Sequence, residues 1–330
     1  AVMGNVVPGW LLASAIDLQR LEPAIEQLAE LDLVFPLEEK GTLRFKHGIT
    51  REVVLDSLGR DQRQALHLEV AQIIEERFES TNRDTMLEAL AYHYGETKEH
   101  QQAADYAEAA GDKAMAVSAT DRARLQYHAA LTALGKLGED SVYDRWMGVS
   151  RKLAEACLYD AERSQTGIYE RAIELSRTRD DRANLASGEY WLAYINYALG
   201  EAPAAKHHID AALALAEELG DETQKTQSLA SWGQIHGNAC DYGAALPALE
   251  EAMSRQAPFK RKPRIAFAYA YSLACKGMIL SDQGAFTEAF KCFDEADDLT
   301  RGAVHPTQGS IACMRSGAYL WQGRWEEAMD

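Results

Sequence analysis

Three groups of residues have types and spacings that could do chemistry. Tyr190, Tyr194 and Tyr197 stand at i, i+4 and i+7, which places them on one face of a helix beside Trp191. Such a stripe fills a core or lines a groove that accepts a peptide or ligand, because aromatic residues are enriched at binding surfaces. Lys260-Arg261-Lys262-Pro263-Arg264 is the one basic run. It could dock an acidic partner or a phosphate, or simply face water as a loop. His47 follows Phe45-Lys46 and precedes a helical segment, where an anion could meet both an imidazole and a helix N-terminus; it could equally cap that helix or pack against it.

The remaining reactive side chains form no constellation. His207 and His208 are adjacent and point to different faces, so they cannot share one metal as an i, i+4 pair would. His93, His100, His128, His236 and His305 are scattered, with no H-E-x-x-H spacing. The pairs Glu38-Glu39, Glu75-Glu76, Glu217-Glu218 and Glu250-Glu251 read as solvating charge. Cys157, Cys240, Cys275, Cys292 and Cys313 contain no C-x-x-C and read as small core residues in a reducing cytoplasm. No G-x-S-x-G occurs, and no metal site or catalytic group is expected.

The chain carrying these residues has 330 positions, 34 basic and 51 acidic, for a formal net charge of −17. That balance argues against broad binding to nucleic-acid phosphates. No apolar run reaches the roughly 18 to 20 residues that cross a bilayer, so no membrane partner is expected. The chain opens on Ala1 within an apolar stretch, and Gly323 to Asp330 starts a helix; the expectation is an excised piece of a longer protein.

After Asp61 apolar residues recur at helical spacing, and an internal repeat accounts for them. Its anchor is a small residue, a larger one four later and Ala three later. It reads Ala205, Ile209, Ala212; then Ala245, Leu249, Ala252; then Ala289, Phe293, Ala296; and Ala328 begins another. Earlier copies are Ala103, Ala107, Ala110; Ala123, Tyr127, Ala130; and Gln165, Tyr169, Ala172. From 123 onward the anchors recur about every 40 residues, whereas 103 and 123 are only 20 apart. A partner helix precedes each anchor, with Leu229, Trp232, Gly233 and His236 before Ala245, and Leu273, Gly277 and Leu280 before Ala289. Trp232, Trp321 and Trp325 are expected at helix interfaces, and Gly200, Gly243, Gly284 and Gly323 at the turns. The pattern resembles the tetratricopeptide repeat family with helices longer than its usual 34-residue period.

The first 60 residues differ. Leu11 to Asp17 reads as a helix, Pro23 opens a second to Leu31, and Leu33-Val34-Phe35-Pro36-Leu37 and Leu43-Arg44-Phe45 form a hairpin around a turn at Glu38 to Gly41. A helix from Thr50 to Ser57 follows, which is a winged-helix order. Ala1-Val2-Met3-Gly4, the segment Leu28 to Leu33, Arg44-Phe45-Lys46-His47-Gly48-Ile49-Thr50-Arg51-Glu52-Val53-Val54, and Arg63 with Leu66-His67 resemble the segment after the ATPase core in large bacterial signalling ATPases, many of which carry a class III adenylate/guanylate cyclase domain. The resemblance implies that His47, with Arg51, senses the nucleotide state by meeting the β-phosphate of ADP. It places ATP or ADP and Mg in an ATPase domain upstream; these 330 residues hold no G-x-x-x-x-G-K-[ST] and so no cofactor of their own.

The expected fold is all-α apart from one hairpin: a winged-helix module at 1–60, a helical linker with irregular repeats at 61–136, and a right-handed tetratricopeptide-like superhelix at 137–330. The expected function is the regulatory and protein-interaction region of a signalling ATPase, non-enzymatic in itself. Its repeats would bind a protein or peptide on their concave face, and its winged helix would contact the ATPase and output domains. The alternatives are a plain adaptor scaffold and a fragment of a LuxR-type transcription regulator. Arg51 is the only basic residue of the Thr50–Ser57 helix, which weighs against DNA readout.

Overall fold

In the N-terminal module the hairpin is laid down as the alternation of apolar residues predicts. In the computed structural model, strands β2 (Val34–Pro36) and β3 (Leu43–Phe45) pair antiparallel with Phe35 opposite Arg44. A third strand, β1 (Val6–Val7), adds to the free edge of β3, giving the order β1-β3-β2. Strand β1 has no sequence signal, because two residues are too short to show a period. Described here are all residues except 39–40, 79–82, 139, 159, 304 and 330, and except the side chains of 18, 20, 83, 84, 263 and 264. Part of the turn expected at Glu38 to Gly41 therefore lies outside the described residues.

Helices α1 (Gly9–Ala15), α2 (Leu18–Glu30) and α3 (Gly48–Ser57) complete the module. Pro23 does not open α2 as expected. The helix begins five residues earlier, where the Asp17 carboxylate accepts the Gln19 backbone N–H at 2.9 Å, and Pro23 sits inside it. A side-chain cap outweighed the proline signal, and Pro23, the sixth residue of the helix, gives up the bond its N–H would have made to the carbonyl four residues back. Gly9 is required at the start of α1: a Cβ there would lie 2.5 Å from the Gly41 backbone.

The helices that follow are α4 (Arg60–Phe78), α5 (Leu87–Gly95), α6 (His100–Ala116), α7 (Thr120–Lys136) and α8 (Tyr143–Ala156). Together with the module they form one compact unit, residues 1–157. The second unit, 158–330, holds α9 (Thr166–Thr178), α10 (Arg182–Ala198), α11 (Ala202–Leu219), α12 (Glu222–Asn238), α13 (Tyr242–Gln256), α14 (Pro263–Asp282), α15 (Phe286–Thr300), α16 (Pro306–Trp321) and α17 (Trp325–Met329). The fold is all-α apart from the small sheet, and its helices form tetratricopeptide-like antiparallel pairs.

The anchor residues are the core of these pairs. Ala205, Ile209, Ala212, Ala245, Leu249, Ala252, Ala289, Phe293 and Ala296 are all fully buried. Three of the large anchors drive into a glycine sixteen positions earlier on the partner helix. A Cβ at Gly233 would lie 2.7 Å from Leu249, at Gly277 2.9 Å from Phe293, and at Gly111 2.5 Å from Tyr127. Missing side chains on one helix make the holes that the other helix fills, so the axes approach closely.

The same rule explains the short step between the anchors at 103 and 123. Helix α6 buries Ala103, Ala104, Tyr106, Ala107, Ala110, Gly111 and Ala114. It packs against α5 through its own anchor and against α7 through Gly111. One helix thus serves two pairs, and the chain advances by one helix instead of two.

The turns repeat a single device. At several turns a residue one or two past the helix end takes a left-handed conformation, and the next N–H reaches back five residues, as in Glu201 N–H to Asn196 at 2.8 Å and Ala285 N–H to Leu280 at 2.8 Å. Gly200, Gly284 and Gly323 occupy the left-handed position, as expected. Gly243 does not: it lies inside α13, and Cys240 takes the turn with φ 61°. Cys240 is exposed there, as is Cys313, so these two are not the core residues expected, whereas Cys157 and Cys275 are buried. Trp321 and Trp325 are likewise exposed rather than interfacial, since α17 has no buried residue and packs on α16 alone.

Candidate partner-binding surface

In the second unit the first helices of successive pairs meet: α10 touches α12, α12 touches α14, and α14 touches α16. The second helices α11, α13 and α15 make no comparable approach to one another. The layer whose members converge is the inner one, so the seam along α10, α12 and α14 is the inner face of this unit.

All three tyrosines of the stripe lie on this seam or beside it. Tyr190 is buried, and its hydroxyl lies 3.2 Å from Ser231 Oγ on α12. Tyr197 is half-buried; its hydroxyl accepts from the Asn238 amide and meets Gln234 and Tyr271 as well. The Gln234 amide donates to the Tyr271 hydroxyl on α14 at 2.9 Å. Tyr194 donates to the Leu158 backbone carbonyl and stands edge-on to Trp191. Burial pushes the Tyr190 and Tyr197 hydroxyls up from their ordinary range, so both stay neutral at physiological pH.

The side chains that link the three helices here are neutral: Tyr190 and Tyr197 on α10, Ser231, Gln234 and Asn238 on α12, and Tyr271 on α14. Glu189, buried on α10, receives Arg177 at 2.8 Å and the His208 Nδ1 at 2.7 Å, which ties α9, α10 and α11 together. His208 thus meets a carboxylate, while His207 stands edge-on to the His208 ring. Among the described residues no group of three His, Cys, Asp or Glu could hold a metal ion.

The basic run lies on the other side. Lys260 donates to Glu295 on α15 at 2.8 Å and sits over the Tyr269 ring, while Lys262 sits over Phe259. Arg261 is exposed, and the Arg264 side chain lies outside the described residues. Lys260 ties the α13–α14 turn to α15, and neither it nor Lys262 is brought to Tyr190, Tyr194 or Tyr197.

In the first unit His47 is exposed at the N-cap of α3 and makes no side-chain capping bond. Arg51, one turn on, donates from Nε to the Ala1 carbonyl at 2.9 Å. Helix α3 buries nothing, and Ile49 and Val53 stand in solvent. Sequence spacing did not reveal a second arrangement: His67 on α4 and His93 on α5 are both buried, their Nδ1 atoms 3.1 Å apart. Burial and the neighbouring His67 lower His93 to about 4. Burial also lowers His67, Arg63, Arg51 and the N-terminus adding to the effect and Glu96 opposing it. Beside this pair the Glu75 carboxylate accepts the hydroxyls of both Tyr94 and Tyr106, whose rings stack at 5.4 Å. Residues 26 apart on different helices leave no periodic mark, so only the fold shows the histidine pair.

No protein-family model and no curated protein matches the chain. Solved structures do. A Rap protein complexed with competence and sporulation factor matches over 97% of this chain and 92% of its own, at 15% identity and a TM-score of 0.50. BtubC (BKLC) from P. vanneervenii matches over 76% of this chain and 95% of its own, at 18% identity and a TM-score of 0.39. The likeness to the Rap protein is one of fold, a helical repeat along nearly the whole chain. Among the described residues no helix is long and apolar enough to cross a membrane.

Proposed function

We propose that the chain is the partner-recognition and regulatory region of a signalling protein, with the inner seam of α10, α12 and α14 as the surface that takes a protein or peptide. The observation that carries this reading is the linked set Tyr190–Ser231, Tyr197–Asn238 and Gln234–Tyr271. Polar side chains held in place by one another before a partner arrives lose little freedom on binding. The fold likeness to a protein solved with a bound factor supports it. Selection of peptides against the chain, followed by titration calorimetry with Tyr197→Ala and Gln234→Ala, tests it. Binding lost in both variants is the expected result, and binding unchanged in both would remove the seam from consideration.

The N-terminal module is, in this reading, a winged helix that holds an ATPase domain in its ADP state, in a protein linked to a class III cyclase. The exposed His47 at the start of α3, free of any side-chain capping bond, supports its role as the nucleotide-state sensor. His47→Leu in the full-length protein should raise basal output; unchanged output would demote His47 to a surface residue. A plain adaptor is the second reading. It is favoured by Arg51, whose Nε is already engaged with the Ala1 carbonyl. A P-loop in the reading frame upstream of Ala1 would decide for the first, and a frame without one for the second. Helix α3, with apolar residues in solvent and Arg51 as its one cation, offers little to DNA.

A further inference from the structure

The first unit holds an open cleft of its own. Helices α5 and α7 stand side by side over the start of α6, and between them lies a concavity of about 230 Å³. Its floor is made of alanines. Ala91 of α5, Ala103 of α6 and Ala133 of α7 are all buried, so the space exists because the side chains there are short. Tyr92 and Thr132 line its walls. Its polar end brings together Glu96, the residue capping α5, His100, the first residue of α6, and Lys136, the last of α7. We propose that this cleft binds a free α-amino acid with an apolar side chain, its ammonium on Glu96, its carboxylate on Lys136 and His100, and its side chain on the alanine floor against Tyr92.

Exposed charges ordinarily face water and need no partner. Glu96 and Lys136 differ in where they stand. Both line one small cleft, and among the described residues neither makes a side-chain hydrogen bond or ion pair, with the other or with any third group. Their charges cancel, which suits a ligand carrying one of each sign and disfavours a simple anion or cation. The helix ends add the same asymmetry. Helices α5 and α7 close on the cleft with the negative ends of their dipoles, and α6 opens on it with its positive end. Burial and the Lys136 ammonium hold His100 below its ordinary range against the pull of Glu99, so at neutral pH the ring is uncharged and can donate to a carboxylate from one nitrogen. The volume lies below the roughly 300–1,000 Å³ of clefts for drug-sized ligands, which matches a molecule of amino-acid size. The site belongs to the first unit and does not depend on the reading of the α10–α14 surface.

Titration calorimetry of the 330-residue chain with L-leucine, L-phenylalanine, N-acetyl-L-leucine and L-leucinamide tests the proposal, because each derivative lacks one of the two charges. L-leucine or L-phenylalanine should bind, and each derivative at least about tenfold more weakly than L-leucine. Glu96→Gln should weaken L-leucine about tenfold and N-acetyl-L-leucine hardly at all; Lys136→Met should weaken L-leucine about tenfold and L-leucinamide hardly at all. Ala129→Leu fills the cleft from its wall and should abolish binding. All three positions are exposed, so folding should not suffer, and thermal melts verify this. No heat from either amino acid up to about 10 mM, or binding that survives Ala129→Leu, would overturn the proposal. So would a derivative that binds as tightly as L-leucine, since the cleft would then read one end of a peptide and not a free amino acid.

Discussion

Both units seat apolar anchors against small residues, but the first adds buried ionisable groups to its joints. His67 meets His93, Glu75 takes two tyrosine hydroxyls, and Glu108 and Asp112 of α6 hold Lys152 of α8, each at 2.8 Å, with Arg145 on Glu108 at 2.9 Å. In the second, apolar anchors seated in glycine or alanine hollows do most of the joining, and the polar seam is neutral; Glu189 with Arg177 and His208 is the buried exception. One repeat pattern therefore tolerates two kinds of joint. The first unit should answer to protons and salt, and the second to volume.

The largest expected effect tests volume. Phe293→Ala should cost about 3–5 kcal/mol, because the ring is fully buried against Gly277 and cannot be replaced by collapse of small neighbours. Denaturant melts followed by hydrogen exchange should show the loss in the second unit alone, and equal loss in the first would break the comparison.

Protons come next. His93 is held near 4 in the folded chain against 6.5 when unfolded, so the unfolded state binds more protons as acid is added. Stability of the first unit should be full above pH 6.5, fall between 6.5 and about 4, and change no further from this group below that. The loss is about 3 kcal/mol. His93→Gln should flatten that fall; a second unit that weakens over the same window would contradict the contrast.

A smaller effect is expected at the half-exposed ion pairs. Lys152→Met should cost about 0.5–1 kcal/mol in dilute buffer and less in 0.5 M salt, read from the denaturation midpoint. The smallest should be a gain. Ser118 ends α6 with φ 57° where Gly200 and Gly284 stand at the corresponding turns, so Ser118→Gly should stabilise by about 0.5 kcal/mol.

Much of this architecture could be read in advance. The triplets around Ile209, Leu249 and Phe293 identify every buried anchor because helical spacing makes burial periodic. What stayed hidden was set by three-dimensional choice. Gly243 advertised a turn, yet Cys240 made it, because the left-handed position is fixed by where α12 ends and not by the nearest glycine. The tyrosine stripe was visible, but its partners Ser231, Gln234 and Asn238 sit some 40 residues away and look like ordinary helix surface. The exposed Trp321 and Trp325 show the converse: a residue type alone does not say whether a neighbour covers it.

Helix α6, shared by two pairs, also has a consequence for motion. A pair that owns both of its helices can open by itself, as links in a chain do. Because α5 and α7 each seat against α6, neither contact can be released by displacing α6 without releasing the other. These three helices should therefore exchange their amide protons as one cooperative block.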